Sequence, residues 1–193
     1  IYSKVDFNKD GFRDLPTGNL FTAMNRWKFE DGKGFMAQFG AKLLTDDRTG
    51  GETAFDPGKD KFTTNHYGLG IRTRRFEVFS KTGYVFPGKK YKSIGLQLMA
   101  FSHDQDSYFG LNAYNALQKS IYANLIYQSI VGNSNHKFRT GLSWTGDRYE
   151  ETIRTAFYNR NEQVPGGFFE YTFTPSAKLG IVAGIRGDHN SLY

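Results

Sequence analysis

Phe35-Met36-Ala37-Gln38-Phe39-Gly40-Ala41-Lys42-Leu43 decides how the rest of the chain is read. Phe35, Ala37, Phe39, Ala41 and Leu43 make one apolar side, and Gln38, Gly40 and Lys42 fall on the other. A period of two places successive side chains on opposite faces of a strand, and helical spacing gathers neither set. The same alternation returns in Ile94, Leu96, Leu98, Ala100 against Ser93, Gly95, Gln97 and His103. It returns in Ile121, Ala123, Leu125, Tyr127 against Ser120, Asn124 and Gln128, and in Phe138, Leu142, Trp144 against Lys137, Arg139 and Ser143. Phe169, Tyr171, Phe173 and then Leu179, Ile181, Ala183, Ile185 repeat it near the end.

These segments predict eight strands, near 18–30, 34–46, 67–85, 91–104, 112–130, 136–149, 166–174 and 178–188. Soluble strands cluster near about 5–6 residues, whereas a tilted membrane-spanning strand needs about 9–11. Asp31-Gly32-Lys33-Gly34, Pro87-Gly88-Lys89-Lys90, Val131 to Asn135 and Thr174-Pro175-Ser176-Ala177 read as tight turns. The alternate connections, 47–66, 105–111 and 150–165, read as longer loops. Short turns at one end and long loops at the other are the outer-membrane arrangement, short side periplasmic. The expected fold is therefore all-β, an antiparallel up-and-down transmembrane β-barrel segment. Residues 1–17 form an extracellular acidic loop and 18–193 a partial outer-membrane barrel. A soluble eight-stranded barrel is the alternative that strand length disfavours. Alternation is poorest in the third segment, where Arg72, Arg74 and Phe76 share a face while Arg75 and Glu77 take the other; a bulge near Arg74-Arg75 is expected there.

Composition agrees with a barrel wall. Hydrophobic residues are 38% of the 193, yet aromatics reach 17%, with 18 Phe and 12 Tyr. Rings in excess of branched aliphatics suit aromatic girdles. The net charge of +6 is spread along the chain, apart from Arg72, Arg74 and Arg75, so no nucleic-acid groove is expected. Cysteine is absent, which excludes disulfides and thiolate metal sites. No apolar run is long enough for a membrane helix. No signal peptide opens the sequence, and Ile1 reads as an interior start, so an excised segment is expected.

The sharpest motif is Asp6-Phe7-Asn8-Lys9-Asp10-Gly11-Phe12-Arg13-Asp14. Oxygen-bearing Asp6, Asn8, Asp10 and Asp14 alternate on a loop whose Gly11 permits a tight curl, with the Phe12 carbonyl as a further donor; this is the opening of a calcium loop. Thr17 stands where the bidentate Glu of such a loop belongs, so affinity should be modest. A solvated Asx-rich turn is the competing reading. His66, His103, His136 and His189 show no ligand spacing, and Glu150-Glu151 flanks a loop without a nucleophile or a phosphate-binding motif nearby; no catalysis is expected.

The run Asp6 to Pro16, Asn25-Arg26-Trp27-Lys28, Arg74-Arg75-Phe76, Lys81-Thr82-Gly83-Tyr84 and Tyr122 to Gln128, in that order, resembles the barrel of TonB-dependent outer-membrane receptors. His136 to Gly141, Val164 to Thr172 and Gly184-Ile185-Arg186-Gly187-Asp188 extend the resemblance over nearly the whole chain. It implies a barrel of about 22 strands around an N-terminal plug. It also implies TonB as energy-delivering partner, outer-membrane lipid as surroundings and a small nutrient, such as an iron-siderophore, cobalamin, a metal or a glycan, as ligand. Eight strands would be about a third of that wall. The plug is not among these residues, and Gly187-Asp188-His189-Asn190 lacks the alternation of a terminal strand. Such a fragment would expose two edges open to pairing with other chains. A small structural or adhesive barrel, and a soluble β-domain binding sugar or nucleic acid, are the alternatives from other classes.

Overall fold

The computed structural model describes residues 4–192. Eight strands follow in chain order: β1 (Thr17–Glu30), β2 (Phe35–Gly51), β3 (Gly68–Val85), β4 (Ser93–Phe109), β5 (Asn112–Val131), β6 (Asn133–Ile153), β7 (Ala156–Ser176) and β8 (Leu179–Asp188). Each pairs antiparallel with its neighbours in one sheet, in the order β1 to β8, with no helix among the described residues. β1 and β8 are not paired, so the sheet is open and not closed into a barrel.

The turns at the even-to-odd end, hereafter the cap end, correct two expectations. Residues 105–111 and 150–165 are not loops. β4 and β5 meet across a two-residue turn at Gly110-Leu111, and β6 and β7 across Arg154-Thr155, where Arg154 adopts φ 57°. The hairpins simply continue: residues 159–163 are polar on both sides, so alternation disappears while the backbone ladder does not. Only 52–67 remains a long connection. At the opposite, short-turn end, Asp31 Oδ1 accepts from Lys33 N (2.7 Å) and Phe35 N (3.0 Å) to fix the first turn.

The bulge expected at Arg74-Arg75 is absent. Register runs unbroken from Leu69 to Tyr84 on both sides of β3. Each arginine has a partner that lets the strand stay regular: Asp47 for Arg72 (3.2 Å), Asp104 for Arg74 (3.0 Å) and Glu77 for Arg75 (3.0 Å). Register shifts occur instead at Ile130/Val131 and between Phe173 and Ser176, where Pro175 has no N–H to donate.

Three strand glycines each face an aromatic residue directly across the ladder. Gly40 is opposite Phe79, Gly70 opposite Tyr108 and Gly141 opposite Phe168. In each pair the ring lies where a Cβ would stand, 2.3–2.5 Å from it. The ring covers backbone that glycine leaves bare.

Candidate functional site

Alternation and register together sort the side chains into two faces. One carries Trp27 and Phe29 on β1, Phe35 to Leu43 on β2, Phe76 and Val78 on β3, Ile94 to Ala100 on β4, Ile121 to Tyr127 on β5, Leu142 and Trp144 on β6, Phe169 to Phe173 on β7 and Ile181 to Ile185 on β8, taking alternate residues. Among the described residues nothing packs on this band. Trp27, Phe39, Phe76, Leu142 and Ile185 are 57%, 49%, 52%, 66% and 75% exposed. The buried hydrophobic residues among those described are Ala37, Phe55 and Tyr108. The accessible surface is 12798 Å², against about 9,300 Å² for a compact folded monomer of this mass. Soluble domains bury their apolar faces in layers; this sheet is a single layer with one apolar face bare.

The band has chemically distinct rims. At the short-turn end aromatic rings line up, with Phe29 and Phe35 6.2 Å apart, Tyr127 and Phe138 5.9 Å, and Phe138 stacked on Phe169 at 6.1 Å. At the cap end the band stops at charges: Asp47, Arg72, Arg74, Asp104, Lys119, Arg148 and Glu150.

Both rims slant across the sheet. A single register row joins Trp27, Phe39, Ser80, Leu98, Ala123, Trp144 and Pro165. The aromatic rim lies two residues from this row on β1, at Phe29, and eight on β7, at Phe173. The charged rim lies eight residues from it on β2, at Asp47, four on β5 and β6, at Lys119 and Arg148, and on β7 the polar boundary is only two away, at Gln163. Six residues of drop is about 20 Å along a strand, taken over about 24–29 Å of sheet width, so the band runs about 35–40° off perpendicular to the strands.

The other face is polar and cross-linked. Arg75 pairs with Glu77 and lies 3.7 Å over Phe101. Gln118 donates to Asp147 (3.1 Å) and Tyr149 (3.0 Å), and the Tyr114 hydroxyl donates to Glu151 (2.8 Å). Arg186 pairs with Asp188 and reaches the Ser143 hydroxyl at 2.9 Å, over Gly166, where a Cβ would collide with Asp188.

At the cap end the long connection is a packed cap. Phe55 is 1% exposed, sits where a Cβ on Gly68 would stand, and meets Tyr108 at 6.3 Å; Phe62 adds an edge contact to Tyr108 at 5.7 Å. Lys61 lies over both Phe62 and Tyr108. Arg13 and Lys4 donate to the Phe55 carbonyl at 2.6 and 3.2 Å. Glu52 accepts from Tyr67 N (2.8 Å) and contacts His66 Nδ1 at 2.9 Å, and these bonds, the backbone one foremost, hold its carboxyl below the usual carboxylate range.

The acidic motif lies beside this cap, tied to it by a bridge between Phe12 and Glu52. The Asp6 carboxylate accepts from Asp10 N (3.2 Å) and Gly11 N (3.0 Å). Asn8 Nδ2 donates to Asp10 Oδ2 (3.0 Å), Asp10 Oδ1 accepts from Phe12 N (2.8 Å) and Asp14 Oδ2 from Phe7 N. Lys9 and Gly11 have φ of 59° and 88°, which completes the curl. The loop thus brings Asp6, Asn8 and Asp10 together and ties Asp14 to Phe7, although among the described residues no three His, Cys, Asp or Glu side chains form a metal-holding group. Thr17 is the first residue of β1, its hydroxyl 3.3 Å from the Thr49 carbonyl, so it supplies no carboxylate. The slanted band and the folded cap are the features that sequence reading missed; the band requires the register.

No family model, no curated protein and no solved structure matches this chain.

Proposed function

We propose that this chain is a stretch of outer-membrane β-barrel wall, an interior segment of a TonB-dependent receptor for active uptake of a scarce nutrient. The slanted apolar band carries the membrane part of that reading. A lipid slab crossing strands tilted about 35–45° meets residues that shift steadily along successive strands. An apolar stretch tied to the strands themselves would not shift. The band's extent supports it too: Phe76 to Tyr84 covers eight rises, about 27 Å of strand and about 21 Å once tilted, near the roughly 25 Å of an outer-membrane apolar belt. The polar face then lines the lumen, and the cap end faces outward. Two open edges call for further strands on either side.

Trp27 and Trp144, the two tryptophans, both stand on the apolar face. Refolding into vesicles of brominated phosphatidylcholine should quench both. Emission that is red-shifted and unquenched sinks the membrane reading. Uptake rests on the sequence resemblance and is tested by deleting the gene and growing the strain on defined iron, cobalamin and glycan sources; unchanged growth on all of them removes it.

The loop from Asp6 to Asp14 is a second element of this reading, a weak calcium site on the outer side. Its donors, the carboxylates of Asp6, Asp10 and Asp14, the Asn8 amide oxygen and the Phe12 carbonyl, are hard oxygens of the class calcium takes. Bound calcium would pin the loop against the cap through Phe12.

A further inference from the structure

On the apolar face a groove of about 560 Å³ runs up from the band to its charged rim, floored by Val78, Ala100, Ile121 and Trp144. Its upper end holds Lys119 on β5 and Arg148 on β6, which also line it. These two cations are direct cross-strand partners, Lys119 opposite Arg148, on the same face. Like charges in that position repel. The neighbouring charged pairs do the opposite: Arg72 faces Asp47 and Arg74 faces Asp104, each a cation opposite its own carboxylate. Lys119 is exposed and makes no ion pair among the described residues. Arg148 has Glu150 at 2.6 Å, but Glu150 lies farther out along β6, on the side of the pair away from the band.

We infer that this groove binds a phosphorylated lipid of the surrounding leaflet, its phosphomonoester between Lys119 and Arg148 and an acyl chain along Val78, Ala100, Ile121 and Trp144. The inference rests on the membrane reading above. Three features select this occupant. The cations stand four residues above the register row that holds Trp144, at the level where the band gives way to charge, which is headgroup depth. A doubly charged phosphate bridges two facing cations and removes their repulsion, and a guanidinium binds it bidentately. The groove continues below them as apolar surface, which a free phosphate could not use.

The test uses the chain with Trp27→Phe, leaving Trp144 as the sole tryptophan on the groove floor. Three vesicle preparations are compared: wholly brominated phosphatidylcholine, unbrominated phosphatidylcholine with a tenth of its lipid brominated phosphatidylcholine, and the same with a tenth brominated phosphatidic acid. The expected result is strong quenching in the first, and in the third an apparent affinity about fivefold above the second, as one unpaired cation near an anionic headgroup provides. Lys119→Gln with Arg148→Gln should remove the preference while leaving quenching by wholly brominated phosphatidylcholine intact, which also shows that the variant has inserted. Added inorganic phosphate should not compete at millimolar concentration. Equal quenching in the second and third preparations overturns the lipid site and leaves the membrane reading standing. No quenching in the first overturns both.

Discussion

Phe79 on β3 lies directly across from Gly40 on β2, its Cζ 2.4 Å from where a Cβ on residue 40 would be. Substituting Gly40→Val therefore forces the ring off its site in a sheet with no second layer to absorb it. Overpacking of this kind costs about 1–3 kcal/mol. Denaturant unfolding of the refolded chain should register that loss. Phe79→Ala alone uncovers the backbone of Gly40 and also destabilises. The combined Gly40→Val and Phe79→Ala variant should be less unstable than the sum of its parts, since the collision is gone. Strict additivity would mean that ring and glycine do not interact.

Glu52 ties the cap to the sheet through Tyr67 N and His66. Its carboxyl titrates below the ordinary range, so the bonds stabilise the folded cap at pH above the unfolded value, about 4.3. That contribution is lost as pH falls through the lower, folded value. Amide exchange at Tyr67 should thus show constant protection from neutral pH down to about 5 and a fall below about 4. Glu52→Gln should flatten the profile. A profile that Glu52→Gln leaves unchanged would mean that Glu52 does not govern the cap.

Asp6, Asn8 and Asp10 turn their oxygens toward the same curl of backbone. With five candidate donors and no bidentate carboxylate, calcium should bind with a dissociation constant of about 10⁻⁴–10⁻³ M. Calorimetry should give calcium-dependent heat that Asp10→Ala abolishes, while the Phe12–Glu52 bridge persists. The absence of heat at about 10 mM calcium, roughly ten times the weak end of that range, would leave an Asx-rich turn and nothing more.

The strands were legible wherever one side of the chain differs from the other. Phe35 to Leu43 shows this, and the structure pairs every residue of that stretch as alternation requires. Beyond the band's charged rim the contrast ends. Glu150-Glu151, Asn159, Arg160, Asn161 and Glu162 are polar on both faces, so the β6–β7 hairpin reads as a loop although its ladder is complete to Ile153 and Ala156. Arg72, Arg74 and Arg75 looked like an irregularity because their partners, Asp47, Asp104 and Glu77, come from three different strands or positions that only register aligns. Phe55 and Phe62 were a missed signal: two large apolar residues in a polar connection already indicate a packed cap. The curl of the acidic loop was legible because the bonds that shape it are local, none spanning more than seven residues, whereas its tie to the cap through Phe12 and Glu52 was not.

Trp27 and Trp144 share one register row five strand steps apart, yet they stand at different levels of the apolar band. Trp27 is two residues from Phe29 at the aromatic rim, and Trp144 four residues from Arg148 at the charged rim. If the band lies flat in a bilayer, the strands tilt by about 35–40° and the row climbs with them. Five steps of about 4.8 Å then separate the two indoles by about 14 Å in depth. That places Trp27 near the aromatic interface, where tryptophan is enriched, and Trp144 near the middle of the band. Each single-tryptophan variant, Trp144→Phe and Trp27→Phe, can be read against lipids quenching at graded depths. Equal depths would mean that the strands stand upright and that the slant of the band has some other origin. A separation near 14 Å would fix the tilt from two side chains alone.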